Sequence, residues 1–471
     1  MKRKEKPRFI GELRKSGYQV LSVKDEIRRN LLDKIKRGEV IFQGIIGYED
    51  SVISQIVNSL IAGHDIIFLG ERGQAKTKII RSLVNLLDEE IPMIAGCEIN
   101  DNPYAPICSR CKRLVSENGD SVEISWLGRD ERFGEKLATP DTTVSDLIGD
   151  IDPIKVAEGK LLSDPDVIHY GLLPRTNRGI FAINELPDLS ERIQVSLFNI
   201  MEERDIQIRG YKLRLPLDLL IVASANPEDY TARGRIVSPL KDRFDSLIRT
   251  HYPRSRELEI EIALQEMKKK TLDGITFVIP EYISSILSEL TLQARKSEEI
   301  NQHSGVSVRM TIANFEIIAA SAQKRAYLLA ERYAVPRMSD LCHISSSSVG
   351  KIEVDSFGEK SEYDIIDRLL KKSVRIVFDE KFKVYEFERF VSLFLDGFTF
   401  EVSDMKPSSE YVLVYHKLPE LGVFAERLVD RDAPEFLASS LEFFLEGLYL
   451  HNRLSKEKIS GRTYYSSRAK G

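Results

Sequence analysis

Asp65-Ile-Ile-Phe-Leu69 runs into Gly70-Glu71-Arg72-Gly73-Gln74-Ala75-Lys76-Thr77, which opens into Lys78-Ile-Ile-Arg-Ser-Leu-Val-Asn-Leu-Leu87. An apolar strand, a glycine-bearing turn and an amphipathic helix follow in immediate succession. That order gathers several backbone N–H groups and the positive end of a helix macrodipole at one point, where the phosphates of a nucleotide fit. Lys76 is expected to reach the β- and γ-phosphates, and Thr77 to offer its hydroxyl to a magnesium ion bridging them. The pattern departs from G-x-x-x-x-G-K-[ST] at Ala75, which stands in place of the second glycine. Because a residue entering a right-handed helix has no need of positive φ, the extra methyl is expected to be tolerated without backbone strain.

Working outward, the 471 residues are 42% hydrophobic and 30% charged, the composition of a soluble globular chain long enough for roughly three domains. No stretch approaches the ~18 uninterrupted apolar residues of a membrane span. Met1-Lys-Arg-Lys-Glu-Lys-Pro-Arg8 has no apolar core behind it, which argues against a signal peptide. Four cysteines make no disulfide framework and fit a reducing cytosol, so the expected location is cytoplasmic. A net charge of −5 argues against a general nucleic-acid coat. Residues 1–39 nonetheless carry 13 Lys and Arg against 6 Asp and Glu, and residues 1–37 read as a basic helical extension with Ile27, Leu31, Leu32 and Ile35 on one side.

Two further apolar runs without alternation, Gly179-Ile-Phe-Ala-Ile183 and Asp218-Leu-Leu-Ile-Val-Ala-Ser224, suit strands buried on both faces of a parallel sheet. Residues 205–215 read as a hairpin about a glycine turn. From Ser255 to about Arg332 the pattern is almost wholly helical. The expected organisation is therefore an α/β nucleotide-binding domain over 38–253, an α-helical lid over 254–335, an irregular linker over 336–362, a mainly helical region over 363–455 and a disordered tail over 456–471.

Splitting a phosphoanhydride also requires a group that orients water. Glu185, just past a buried strand, is expected to polarise that water, and Asn184 to accept a hydrogen bond from magnesium-bound water without the charge of an aspartate. The alternative is that Glu185 caps a helix starting near Leu186. Asn226, in Ser224-Ala-Asn-Pro227, lies at the tip of the next strand, where an amide can sense the γ-phosphate; such a site belongs at the carboxyl ends of the strands. Arg243, in Leu240-Lys-Asp-Arg-Phe244, and Arg309, in Gly305-Val-Ser-Val-Arg309, are candidates to stabilise transition-state charge, the first from a neighbouring subunit and the second within its own.

Taken in order, Ile45-Ile-Gly47-Tyr48, the loop from Gly70 to Lys78, Gly171-Leu-Leu-Pro174, Asn184-Glu185, the hairpin, Ala223-Ser-Ala-Asn-Pro227, Arg243 and Arg309 resemble the AAA+ P-loop ATPases of the MoxR and magnesium-chelatase ATPase-subunit clade, over about residues 38–332. The resemblance implies a parallel sheet flanked by helices, ATP and Mg²⁺ as ligands, and a turn at Gly47 and Tyr48 against the adenine. It also implies an insertion at about 152–178, a ring of usually six subunits, and a partner with a von Willebrand factor A domain. A remodelling motor acting on a protein client is the leading expectation. The motor subunit of a true metal chelatase and a nucleotide-gated scaffold of low turnover are the alternatives, the latter prompted by Asn184 and Ala75.

Cys97, Cys108 and Cys111 lie within fifteen residues. They are either three thiolate ligands of a zinc ion whose fourth ligand is Cys342, His343 or an Asp, or free thiols of a surface loop.

Overall fold

The computed structural model describes residues 6–471 apart from 153, 155–156, 159–166, 204–205, 209–210, 214, 228–234, 269–273, 303, 355–360, 418–423, 426, 429–430, 432, 460 and 469–471. The chain divides into two units, Met1–His251 and Tyr252–Gly471.

Five strands form the central sheet of the first unit: β1 (Ile66–Leu69), β2 (Phe133–Leu137), β3 (Gly179–Asn184), β4 (Leu219–Ala225) and β5 (Ser246–Arg249). Their spatial order is β5-β1-β4-β3-β2, with every neighbouring pair parallel. Side chains alternate between the two faces of a strand, and each face has its own core. Ile66, Phe68, Ile180, Ala182, Leu220, Val222 and Ile248 pack on one side; Ile67, Leu69, Phe181, Ile183, Leu219, Ile221 and Ala223 pack on the other. Burial on both faces explains why β1, β3 and β4 are continuous apolar runs. Phe68 and Phe181 are fully buried, each stabilising the fold by on the order of 1.5–3 kcal/mol.

The basic leading segment is built into these cores. Helix Val23–Lys36, capped by the Ser22 side chain, buries Val23, Ile27 and Leu31, whereas Leu32 and Ile35 are exposed, so the apolar face is narrower than the sequence suggests. Glu26 on this helix meets Arg132 in a buried ion pair of 2.7 Å, and Arg132 Nε donates to the Arg178 carbonyl at 2.7 Å, which ties the helix to the entrance of β3. The hairpin expected over 205–215 is present, with Ile206–Ile208 antiparallel to Tyr211–Leu213; 209–210 lie outside the described residues. Of the segment 152–178, Ile168–Tyr170 pairs with Gly149–Ile151, while most of 153–166 lies outside the described residues.

Among the described residues, the second unit has a large apolar core and a small second cluster around Ala322, Ala326 and Ala334. Helices Arg256–Glu266, Glu281–Arg295, Val308–Leu329, Glu362–Lys381 and Pro434–Leu450 all contribute to the large core, through Ala263, Tyr282, Phe315, Phe378 and Phe444 among others. The stretch 336–362, expected to be an irregular linker, sends Leu341 and Ile344 into that core and holds Asp340 against Arg325 at 2.7 Å, both buried. The tail expected to be disordered instead forms strands Leu454–Ile459 and Arg462–Ser467, paired antiparallel, with Phe400–Val402 as a third strand. Gly461, at φ +82°, supplies the turn, and Tyr465 is buried with its hydroxyl on Glu446. Leu454 and Tyr465 anchor the hairpin in the core despite the polar composition that suggested disorder. Among the described residues no helix is long and apolar enough to cross a membrane.

Candidate functional site

The sheet register brings the carboxyl ends of β1, β3 and β4 level. Leu69 pairs with Ala225, and Gly70 N–H donates to the Ala225 carbonyl at 3.2 Å, so the loop after β1 and Asn226 after β4 start side by side. Gly70 has no room for a side chain: a Cβ there would meet Thr250 Oγ1 at 1.9 Å and Gln74 Oε1 at 2.3 Å, two atoms already joined by a 2.6 Å hydrogen bond. Gly73 has φ +78°. Glu71 and Thr77 are half-buried and Arg72 and Lys78 exposed, with Lys78 Nζ donating to the Gly44 carbonyl at 3.0 Å.

Ala75 adopts φ +56°, ψ 13°, the left-handed region, and the expectation that it enters the helix without positive φ is overturned. An L-residue there costs about 1–2 kcal/mol relative to its preferred conformation. The methyl group is partly buried against the core on that face of the sheet, which offsets part of the cost. Glu185 is likewise left-handed, at φ +56°, ψ 50°. Two strained residues on adjoining loops mark a place where the surroundings dictate backbone shape, as functional sites do.

Three predicted side chains join in a single relay. Lys76 is buried, and its ammonium donates to the carbonyls of Gly70 and Glu71 (2.9 Å for the latter) and to Asn226 Oδ1 at 2.6 Å. Asn226 Nδ2 in turn donates to Glu185 Oε2 at 2.7 Å. The amide thus has its oxygen on the lysine and its nitrogen on the carboxylate, an orientation that follows from the charges at its two ends. Glu185 makes no side-chain cap to the helical turn Leu186–Asp188, so the capping alternative fails.

Asn184 points elsewhere. Its Nδ2 donates to Glu135 Oε1 at 2.6 Å, and its Oδ1 accepts from Ser224 Oγ at 3.3 Å. Glu135, on β2, also receives Arg81 from the helix that follows the Gly70 to Ala75 loop, at 2.8 Å. Sequence reading missed Glu135, because β2 (Phe-Gly-Glu-Lys-Leu) is a polar edge strand with no apolar run to announce it. A carboxylate on the neighbouring strand therefore stands beside the position where the resemblance leads one to expect an aspartate.

Gly47, at φ +80°, and Tyr48 lie behind the loop. The buried Tyr48 hydroxyl is 3.0 Å from the Gln74 carbonyl and 2.7 Å from that of His251, and its ring meets the His251 ring edge-on at 4.9 Å. Burial pushes the Tyr48 phenol up to about 12, so it stays a neutral donor that braces the loop at any ordinary pH. Arg243 lies apart from the relay: it pairs with Glu202 at 2.5 Å and stacks over Phe198 at 5.2 Å. Arg309 is exposed in the first turn of its helix in the second unit.

No family model matches the chain. It is 28% identical over 232 residues to the magnesium-chelatase subunit ChlI of Nostoc sp., covering 48% of this chain and 58% of that protein. A ChlI homolog of Methanocaldococcus jannaschii is 25% identical over 288 residues, 55% of this chain and 75% of its own length. The chain is similar in sequence to the ATPase subunits of magnesium chelatase. The chain also matches the chloroplastic ChlI of Nicotiana tabacum, at 28% identity over 50% of its length and 53% of the relative's. It thus spans a little over half the length of the Nostoc and tobacco relatives. A chain from a reconstruction of the complex between subunits BchI and BchD of magnesium chelatase aligns with 70% of it, at 18% identity and a TM-score of 0.35.

Proposed function

We propose that this protein is an ATP-hydrolysing ring motor of the MoxR and magnesium-chelatase type, which remodels or activates a protein client with the help of a partner carrying a von Willebrand factor A domain. The observation that carries the reading is the relay Lys76–Asn226–Glu185, which links the phosphate-binding lysine to the water-orienting carboxylate through one amide. A γ-phosphate that draws Lys76 toward itself would free Asn226 Oδ1 to accept from water while Asn226 Nδ2 still holds Glu185, so the amide and the carboxylate would orient water together when the site is occupied. Turnover per subunit that rises with protein concentration as the ring assembles is the expected result; turnover independent of concentration removes the intersubunit site.

The motor subunit of a metal chelatase is the second reading, and the identity to magnesium-chelatase subunits favours it. Adding a porphyrin, magnesium and the partner subunits separates the two, because metallation follows only for the chelatase.

The magnesium ion that accompanies the nucleotide neutralises phosphate charge and suits an all-oxygen donor set. Thr77, Asn184 and, behind Asn184, Glu135 fit that requirement. In this reading Glu135 supplies the negative charge that Asn184 lacks, moved from β3 to β2. Glu135→Gln is expected to raise the magnesium concentration needed for half-maximal nucleotide binding about tenfold, ~1.4 kcal/mol. Asn184→Asp alone sets two carboxylates face to face and does not help. Combining it with Glu135→Gln exchanges amide and carboxylate between the strands and restores the wild-type magnesium dependence. A combined variant no better than Glu135→Gln excludes the charge-exchange role.

A further inference from the structure

Between strand Glu90–Ile94 and helix Ser109–Asn118 the chain runs through a loop without regular structure, yet much of that loop is buried. Cys97, Asp101, Cys108 and Cys111 are all buried here, with their three sulfurs and a carboxylate oxygen within 4.8 Å of one another. The thiols form no disulfide. The three thiols lie in one buried apolar core with Ile94, Ile99 and Leu173, the Asp101 carboxylate is buried beside them, and among the described residues no cation forms an ion pair with Asp101. Burying a carboxylate without a counter-charge is unfavourable, and backbone N–H donors offset only part of that cost.

The backbone is arranged around the cluster as around a bound ion. Asp101 N–H donates to Cys97 Sγ at 3.4 Å and Cys111 N–H to Cys108 Sγ at 3.3 Å. Ile107 and Cys108 N–H donate to the two oxygens of Asp101 at 3.1 and 3.0 Å. Such second contacts turn ligand atoms toward a common centre and stabilise them as anions. Cys108 is also the N-cap of the ten-residue helix, its sulfur accepting from the Cys111 N–H of the first turn.

We propose that Cys97, Asp101, Cys108 and Cys111 bind a structural zinc ion. Three sulfurs exclude magnesium and calcium, and a closed set of four protein ligands leaves no open position for catalysis. Asp101 is the fourth ligand that cysteine spacing alone leaves undetermined; Cys342 and His343 belong to the other unit, where Cys342 Sγ donates to the Ser339 carbonyl at 3.2 Å. Binding releases the thiol protons, so affinity falls as pH is lowered. The ion would hold the loop against the strands of the nucleotide site. Asn100 Nδ2 donates to the Arg175 carbonyl at 2.7 Å, Asn177 Nδ2 to the Ile99 carbonyl at 2.9 Å, and Asp218 N–H to Asn177 Oδ1 at 2.9 Å, which joins the loop to the starts of β3 and β4.

The test is elemental analysis of the full chain purified without chelators, followed by cobalt(II) titration of the demetallated protein. Zinc equimolar with protein and a sulfur-to-cobalt charge-transfer band are expected. Asp101→Asn should keep the band but weaken metal affinity by about 100-fold or more, a loss at least as large as that for removing an outer partner. Cys111→Ser should lower the intensity of the band. Because the wild-type titration needs no substitution, it stands even where a variant fails to fold. The proposal is overturned by protein that retains no zinc and gives no charge-transfer band, by iron in place of zinc, by a mass lower by two hydrogens showing a disulfide, or by Asp101→Asn binding cobalt with wild-type affinity.

Discussion

Replacing Glu185 with Gln is expected to lower ATP turnover about 10²–10⁴-fold while leaving nucleotide binding intact. Glutamine has the length of glutamate, and its amide oxygen can still accept from Asn226 Nδ2, which in the wild type lies 2.7 Å from Glu185 Oε2. The loop from Gly70 to Thr77, and Lys76 with it, therefore keeps its geometry. What is lost is a carboxylate able to draw a proton from water. Measured side by side, steady-state turnover and the affinity for a fluorescent ATP analogue separate the two effects. A variant that binds tightly and turns over at the wild-type rate moves the water-orienting role away from Glu185. Equal, near-zero turnover in both proteins, with nucleotide bound, instead makes this a nucleotide-gated scaffold and Asn184 the residue that decides it.

Legibility in the sequence followed burial. β1, β3 and β4 lie in the middle of the sheet with both faces covered, so their apolar runs announce them and place Lys76, Glu185 and Asn226 at one edge. The edge strands β2 and β5 expose more of their length, and Phe133-Gly-Glu-Lys-Leu137 and Ser246-Leu-Ile-Arg249 have too little periodicity to be recognised. Glu135 was hidden with β2, although it holds Asn184 directly. Ala75 was misjudged for a different reason. Helix propensity speaks to residues inside a helix, whereas the residue before Lys76 takes its φ from the turn that must carry the chain back from β1. The terminal hairpin escapes sequence reading because only isolated residues of it, Leu454 and Tyr465, reach a core built from distant segments. Asp101 could not be chosen over other acids until the loop was folded, since it lies four residues after Cys97 and seven before Cys108 with no regular element to set a period.

Arg243→Ala is expected to remove ATP turnover by on the order of 10³–10⁵-fold, again without loss of nucleotide binding. The side chain is about a third exposed, and in its own chain it is held by Glu202 at 2.5 Å and Phe198 at 5.2 Å, both on helix Glu191–Glu203, away from the relay. A surface pair of this kind contributes no more than about 1 kcal/mol to stability, so a large fall in turnover cannot be traced to unfolding. Glu202→Gln supplies the control: it frees the guanidinium without removing it, and turnover should hold or rise. Whether the arginine serves a neighbour is decided by mixing. Subunits with Glu185→Gln keep Arg243 but cannot activate water; subunits with Arg243→Ala keep Glu185 but lack the finger. At a boundary where the first kind offers its arginine to the second, a complete site is rebuilt, and turnover should reappear on combining two inactive proteins. Mixtures that stay inactive would place the arginine's action within its own chain, and undiminished turnover in Arg243→Ala would assign the finger to another residue.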